Sequence, residues 1–196
     1  RLDIDGHGGA DTTTVNLFGN GDSRIHVADS DLAHTVVVNG TDDSDVLLMR
    51  ANSAAGLVAS LTAKVGAWYT RAEKISYATG ITQVVLSTLG GDDYLAFDDT
   101  AAPILANLGI GKDAVHIGQL YTDPQGAVRS IDAEFGVRLT ADTGFDSSRG
   151  LLSDGVHYAT TINGGDDNDV FQVFRNQGTL QLNGGDGNDI FVVRAF

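Results

Sequence analysis

Apolar and polar residues alternate in short runs along this chain, and the runs recur at a fixed interval. Phe171 and Val173, Phe191 and Val193, Leu95 and Phe97, Val115 and Ile117, and Leu47 and Met49 each stand two residues apart, on one face of an extended segment. A period of two predicts strands with one side buried and the other wetted. TLQL from Thr179, TVVV from Thr35 and TQVVL from Thr82 read as further strands, because β-branched and aliphatic residues suit a pleated surface. No long amphipathic helix with caps is visible. The nearest candidate, SAAGLVASLTAKVGA from Ser53, is weakened by its glycines and β-branched residues.

The strands are punctuated by one turn motif. INGGDDNDVFQV from Ile162 and LNGGDGNDIFVV from Leu182 repeat it, with Gly164 and Gly184 20 residues apart. NGTDDSDVLLM from Asn39 places Asp42, Asp43 and Asp45 on Asp166, Asp167 and Asp169. DGHGGADTTTV from Asp5 places Asp11 on Asp169. LGGDDYLAF from Leu89 and LGIGKDAVHI from Leu108 set Asp93 and Asp113 20 residues apart, and FGNGDSRIHV from Phe18 carries Ser23 where Asp113 stands. Two stretches, about 50–88 and 118–160, break the beat and are expected to be wider coils or excursions from a single domain spanning 1–196. EKISYATGITQVVLSTLGG in the first reads as strand, turn, strand. The second is expected to hold a hairpin and a loop near Ser147 and Ser148.

Charge changes the picture. The net charge is -14, and of the 26 acidic residues only Glu73 and Glu134 are glutamate. Asp without Glu points to short side chains that fold back on turns or reach a cation. The field excludes nucleic acid as a partner, since the 12 basic residues form no stripe, and disfavours an anionic membrane surface. No apolar run approaches the roughly 20 residues of a membrane-inserted span. The absence of cysteine removes disulfides, thiolate metal sites and cysteine nucleophiles. Arg1 leads almost directly into a turn motif, so the chain is expected to be an internal fragment or a processed subunit.

The motif has a chemical reading. Its glycines allow backbone conformations closed to other residues and let carbonyls converge, and the aspartate five residues after the first glycine adds a carboxylate. Calcium takes six to eight hard oxygens at about 2.3–2.6 Å, more than one turn provides. Turns stacked about 4.8 Å apart would share the ion, which requires identical turns at one-coil spacing.

GGDGNDIFV from Gly184 fits every fixed position of Gly-Gly-x-Gly-x-Asp-x-apolar-x and resembles the nonapeptide of the RTX (hemolysin-type) calcium-binding repeat family. GGDDNDVFQ from Gly164 fits except at Asp167, in the fourth position. The wider rhythm is similar to variant repeats of very large secreted bacterial proteins. The resemblance implies an all-β fold, a parallel β-helix or β-roll solenoid with calcium-binding turns, secreted from a bacterium and folded outside the cell. The candidate calcium residues are Gly164, Gly165, Asp166, Asp167 and Asp169; Gly184, Gly185, Asp186, Gly187 and Asp189; and, from the partial copies, Asp92, Asp93, Asp113, Asp42, Asp43, Asp45 and Asp11. Because the motif comes about once per 20 residues and not back to back, one calcium-bearing edge is expected.

Other groups read blandly. His7, His26, His34, His116 and His157 do not cluster at ligand spacing and are expected to be surface imidazoles. Asp98 and Asp99 read as turn residues or calcium ligands, and Trp68 with Tyr69 as packing. No nucleophile elbow marks a catalytic triad, so an enzyme is not expected. The expected function is a calcium-stiffened structural solenoid of a bacterial cell-surface or extracellular assembly, such as an adhesin shaft, surface layer, sheath or fibre subunit. It would stack end to end or continue in a longer chain, with cell-surface polysaccharide as a further partner. The alternative is an accessory module of a secreted polysaccharide-active lyase or epimerase.

Overall fold

A computed structural model describes residues 1–29, 34–121, 131, 135 and 151–194. They form fifteen strands: β1 (Leu2–Asp5), β2 (Thr12–Asn16), β3 (Arg24–Ala28), β4 (Thr35–Asn39), β5 (Val46–Ala51), β6 (Ala55–Val65), β7 (Trp68–Ala78), β8 (Gln83–Ser87), β9 (Tyr94–Phe97), β10 (Ile104–Ile110), β11 (Ala114–Ile117), β12 (Thr160–Asp166), β13 (Val170–Val173), β14 (Leu180–Gly185) and β15 (Ile190–Val193). The chain is all-β. A nine-stranded sheet runs β1-β3-β7-β6-β5-β9-β11-β13-β15, and a six-stranded sheet runs β14-β12-β10-β8-β4-β2.

The chain passes back and forth between the sheets. Outbound turns lead from the six-stranded to the nine-stranded sheet, after β2, β4, β8, β10, β12 and β14. Return turns lead back, after β1, β3, β7, β9, β11 and β13. Apart from β6, each strand pairs in parallel with a counterpart in a neighbouring circuit, and the register repeats: Leu47↔Leu95, Leu95↔Val115, Val115↔Phe171 and Phe171↔Phe191 form one column. Period two has placed Leu47, Leu95, Val115 and Phe171 inward, where they meet Val36, Val84, Ile104 and Ile162 of the other sheet in one core, while Phe191 on the last strand is exposed. The column ends in two stacked rings, Phe171 and Phe191, with centroids 4.9 Å apart and planes 6° from parallel.

Residues 50–88 depart from the parallel pattern. β5, β6 and β7 pair antiparallel, so β6 and β7 are inserted between β3 and β5, whereas β2, β4 and β8 remain neighbours in the other sheet. The SAAGLVASLTAKVGA segment, the nearest helix candidate, is therefore strand β6. Pairing on both edges supplies its backbone hydrogen bonds. Its apolar residues are buried on both faces, Val58 in the main core, and Leu57, Ala59 and Leu61 in a second cluster with Leu48, Ala72, Ala96, Ile131 and Phe135. Gly56 makes room for the ring of its cross-strand partner Tyr77, which a Cβ at Gly56 would strike. Strand, turn, strand in residues 73–91 is observed as β7 and β8. The hairpin and loop expected near Ser147 and Ser148 lie outside the described residues.

A polar ladder of asparagines accompanies the turns. Asn39 donates to Asn16 (2.8 Å), Asn163 to Asn107 (2.8 Å) and Asn183 to Asn163 (2.7 Å), side chain to side chain at one register position. Asn163 both donates and accepts there, so Asn163→Ala should cost about 1–2 kcal/mol, as two bonds worth ~1 kcal/mol each are lost, read as a lower chemical-denaturation midpoint.

Candidate metal centre

The outbound turns bring five aspartates into a column. The Asp45 N–H donates to Asp93 Oδ1 (2.7 Å), Asp93 N–H to Asp113 Oδ1 (2.8 Å), Asp113 N–H to Asp169 Oδ1 (2.9 Å) and Asp169 N–H to Asp189 Oδ1 (3.0 Å). The local cause lies in the preceding residues. Gly165 and Gly185 hold φ of 115° and 106°, four residues before the aspartate. Gly187 holds 138° two residues before it, and Asp167 adopts φ 79° at the equivalent place. Asp167 thus takes the left-handed conformation that the motif assigns to glycine, which aspartate tolerates better than most residues. The turns also lie backbone to backbone: a Cβ on Gly165 would collide with Gly109 O, and one on Gly187 with Asp167 O.

One carboxylate oxygen in each rung is thereby spoken for; the other is the chemically informative one. Asp93, Asp113 and Asp169 are almost completely buried, and the Oδ2 of each has no hydrogen-bond partner. The Thr88 hydroxyl lies beside Asp93, where it favours the ionised carboxylate, and makes its hydrogen bond to Leu108 O (2.6 Å). Burial, reinforced by neighbouring carboxylates, pushes Asp93 up to about 7 and Asp113 up to about 6, against the backbone bonds each accepts. Asp45 and Asp169 are raised too, again chiefly by burial. Buried, unpaired carboxylate oxygens are costly unless a cation or proton meets them.

The remaining predicted residues sort by position. Gly164 and Gly184 lie directly beneath the Oδ2 of Asp169 and Asp189, with no space for a Cβ. Asp42, Asp43, Asp166, Asp167 and Asp186 are exposed on the outside of the turns. Asp92 is also exposed, and its Oδ1 accepts from Lys112 N (2.9 Å). Asp45 belongs to the column, but its Oδ2 is satisfied by Thr41 through the backbone N–H (2.7 Å) and the hydroxyl (3.2 Å). Asp11 departs from expectation. Its turn follows β1, a strand of the nine-stranded sheet, so it is a return turn, on the opposite side from Asp169 despite the shared motif. A single aspartate-bearing edge is thus not what is observed.

Sequence reasoning missed the part played by Glu73. Glu73, from the inserted β7, accepts from the N–H groups of Phe18 (3.0 Å) and Gly19 (2.9 Å), closing the outbound turn in which Ser23 replaces aspartate. A glutamate among so many aspartates was the available signal. Asp98 pairs with Arg50 (2.8 Å), both fully buried, and Asp99 with His157 (2.5 Å), so these two aspartates brace a return turn and lie away from the column. The histidines are not all surface groups: His34 is 1% exposed, and His116 is half-buried against the Tyr94 hydroxyl (2.7 Å), where burial lowers its pKa.

Among the described residues no group of three or more His, Asp or Glu side chains converges in a form that could hold a metal. Each outbound turn supplies one inward carboxylate, so an ion between two turns would draw its other oxygens from backbone carbonyls and water. Fold and site together define an all-β chain of two mainly parallel sheets, joined on one side by an aspartate column. No family model matches the chain, and no curated protein and no solved structure is significantly similar to it.

Proposed function

We propose that this chain is a calcium-stiffened β-solenoid from a bacterial cell-surface or extracellular assembly. The observation that carries the reading is the set of buried Asp93, Asp113 and Asp169 Oδ2 atoms, which have no hydrogen-bond partner although the Oδ1 of each accepts a backbone N–H. These residues fit a hard divalent cation: oxygen donors only, buried, repeated at one-circuit spacing. Asp93, Asp113, Asp169 and Asp189 would hold the ions, which would supply the positive charge the column lacks. The side chains themselves clamp each turn to the next through the N–H to Oδ1 bonds, so occupancy and stacking reinforce each other. The role is mechanical, a rod locked by extracellular calcium. β15 presents exposed Ile190, Phe191 and Val193, which supports stacking against a further coil, of a longer chain or of another copy.

Calorimetric titration with calcium tests this. Asp169→Asn should weaken binding by about tenfold or more, because a column carboxylate is lost, while Asp166→Asn, on the exposed outside, should bind nearly as wild type. Equal calcium binding by wild type and Asp169→Asn would sink the reading.

A further inference from the structure

Two unpartnered polar atoms meet on the return side. Asp11 Oδ2 and His34 Nδ1 are both buried, and neither has a hydrogen-bond partner. They face one point: a methyl built on Gly6 would lie 2.7 Å from Asp11 Oδ2 and 2.8 Å from His34 Nδ1. The two atoms are therefore no farther apart than those two distances laid end to end.

Their relation is that of two rungs of the aspartate column. Thr12 pairs with Thr35, so Asp11 and His34 hold the same place in successive return turns. Thr35 N–H donates to Asp11 O (2.9 Å), as Tyr94 N–H donates to Asp45 O (2.9 Å) on the outbound side. Asp11 Oδ2 lies over Gly6 just as Asp45 Oδ2 lies over Gly40. His34 thus occupies the position that Asp93 occupies next to Asp45. Its ring is fixed by Thr13, whose hydroxyl lies 2.8 Å from Nε2. With Nε2–H donating to that hydroxyl, Nδ1 presents a lone pair toward Asp11.

We infer that Asp11 and His34 form a second metal site, selective for a first-row transition ion such as Zn²⁺ over calcium. Imidazole nitrogen is a good ligand for zinc and a poor one for calcium, which takes oxygen. Two side-chain ligands leave room for water or backbone oxygen, so the site is of moderate affinity. The inference does not depend on calcium in the aspartate column, which lies on the other side.

Zinc added to the wild-type chain in millimolar calcium, followed by equilibrium dialysis and metal analysis, should bind at about one equivalent. Asp11→Asn and His34→Gln should each weaken it by at least about tenfold, since loss of a direct ligand costs no less than loss of a supporting residue. Asp169→Asn should leave zinc binding intact. Histidine-ring NMR of the wild type needs no variant: zinc should move the His34 resonances. Absence of zinc binding, unchanged zinc affinity in both folded variants, or shifts at other histidines with His34 unmoved would each overturn the site.

Discussion

Removing calcium from the purified chain at neutral pH is expected to lower its thermal midpoint by about 10 °C or more. The five aspartates of the column make four inter-turn contacts. An extracellular-type site with Kd near 10⁻⁴–10⁻³ M contributes roughly 1 kcal/mol at millimolar calcium, and about 1 kcal/mol moves the midpoint of a domain this size by ~2–4 °C. Four such sites sum to about 4 kcal/mol, a large share of the roughly 5–15 kcal/mol that stabilises an ordinary domain. The pH dependence gives the second half of the expectation. Burial raises Asp93 to about 7 and Asp113 to about 6, and raises Asp45 and Asp169, above the unfolded carboxylate value. A raised carboxylate binds its proton more tightly folded than unfolded, so metal-free stability falls as pH climbs from about 4 to 7. In chelator the chain should thus melt higher at about pH 5 than at about pH 7.5, and the calcium increment should grow with pH, because the ion requires the ionised form. Circular dichroism melts with and without chelator at the two pH values check both. An unchanged midpoint on chelation at the higher pH would remove the column from the stability of the fold.

The other large effect is expected at Arg50. Its side chain is wholly buried, donates to Asp98 Oδ2 at 2.8 Å and reaches Tyr121 O at 3.5 Å. Asp98 Oδ1 in turn accepts from Tyr121 N (3.2 Å), so the pair ties β5 and β9 to the segment after β11. Arg50→Met keeps the aliphatic bulk but strips a buried carboxylate of its counter-charge, an error that costs about 3–5 kcal/mol. The double variant Arg50→Met with Asp98→Leu should recover most of that loss, because a well-packed apolar pair can replace a buried ion pair at little cost. Urea unfolding of the two variants distinguishes the cases. A single variant that loses less than about 1 kcal/mol would mean the ion pair is not structural.

Much of this was visible in local pattern. Leu47 and Met49, Leu95 and Phe97, Val115 and Ile117, and Phe171 and Val173 face the core as the alternation requires, because side-chain direction along a strand is fixed by the backbone itself. The helix-like SAAGLVASLTAKVGA segment resolved the other way, since its neighbours β5 and β7 provide two ladders and a buried face that outweigh intrinsic preference.

Local pattern was enough for most of the strands and for the turns that carry Asp93, Asp113, Asp169 and Asp189, because alternation and turn chemistry act within a few residues. Which turns share a side was a matter of long-range pairing. It set Asp11 apart from Asp169, placed His34 in an aspartate's register position, and brought Glu73 and Arg50 to their partners. Those outcomes depend on which sheet the preceding strand joins, and that choice is made by pairing between residues far apart in the chain.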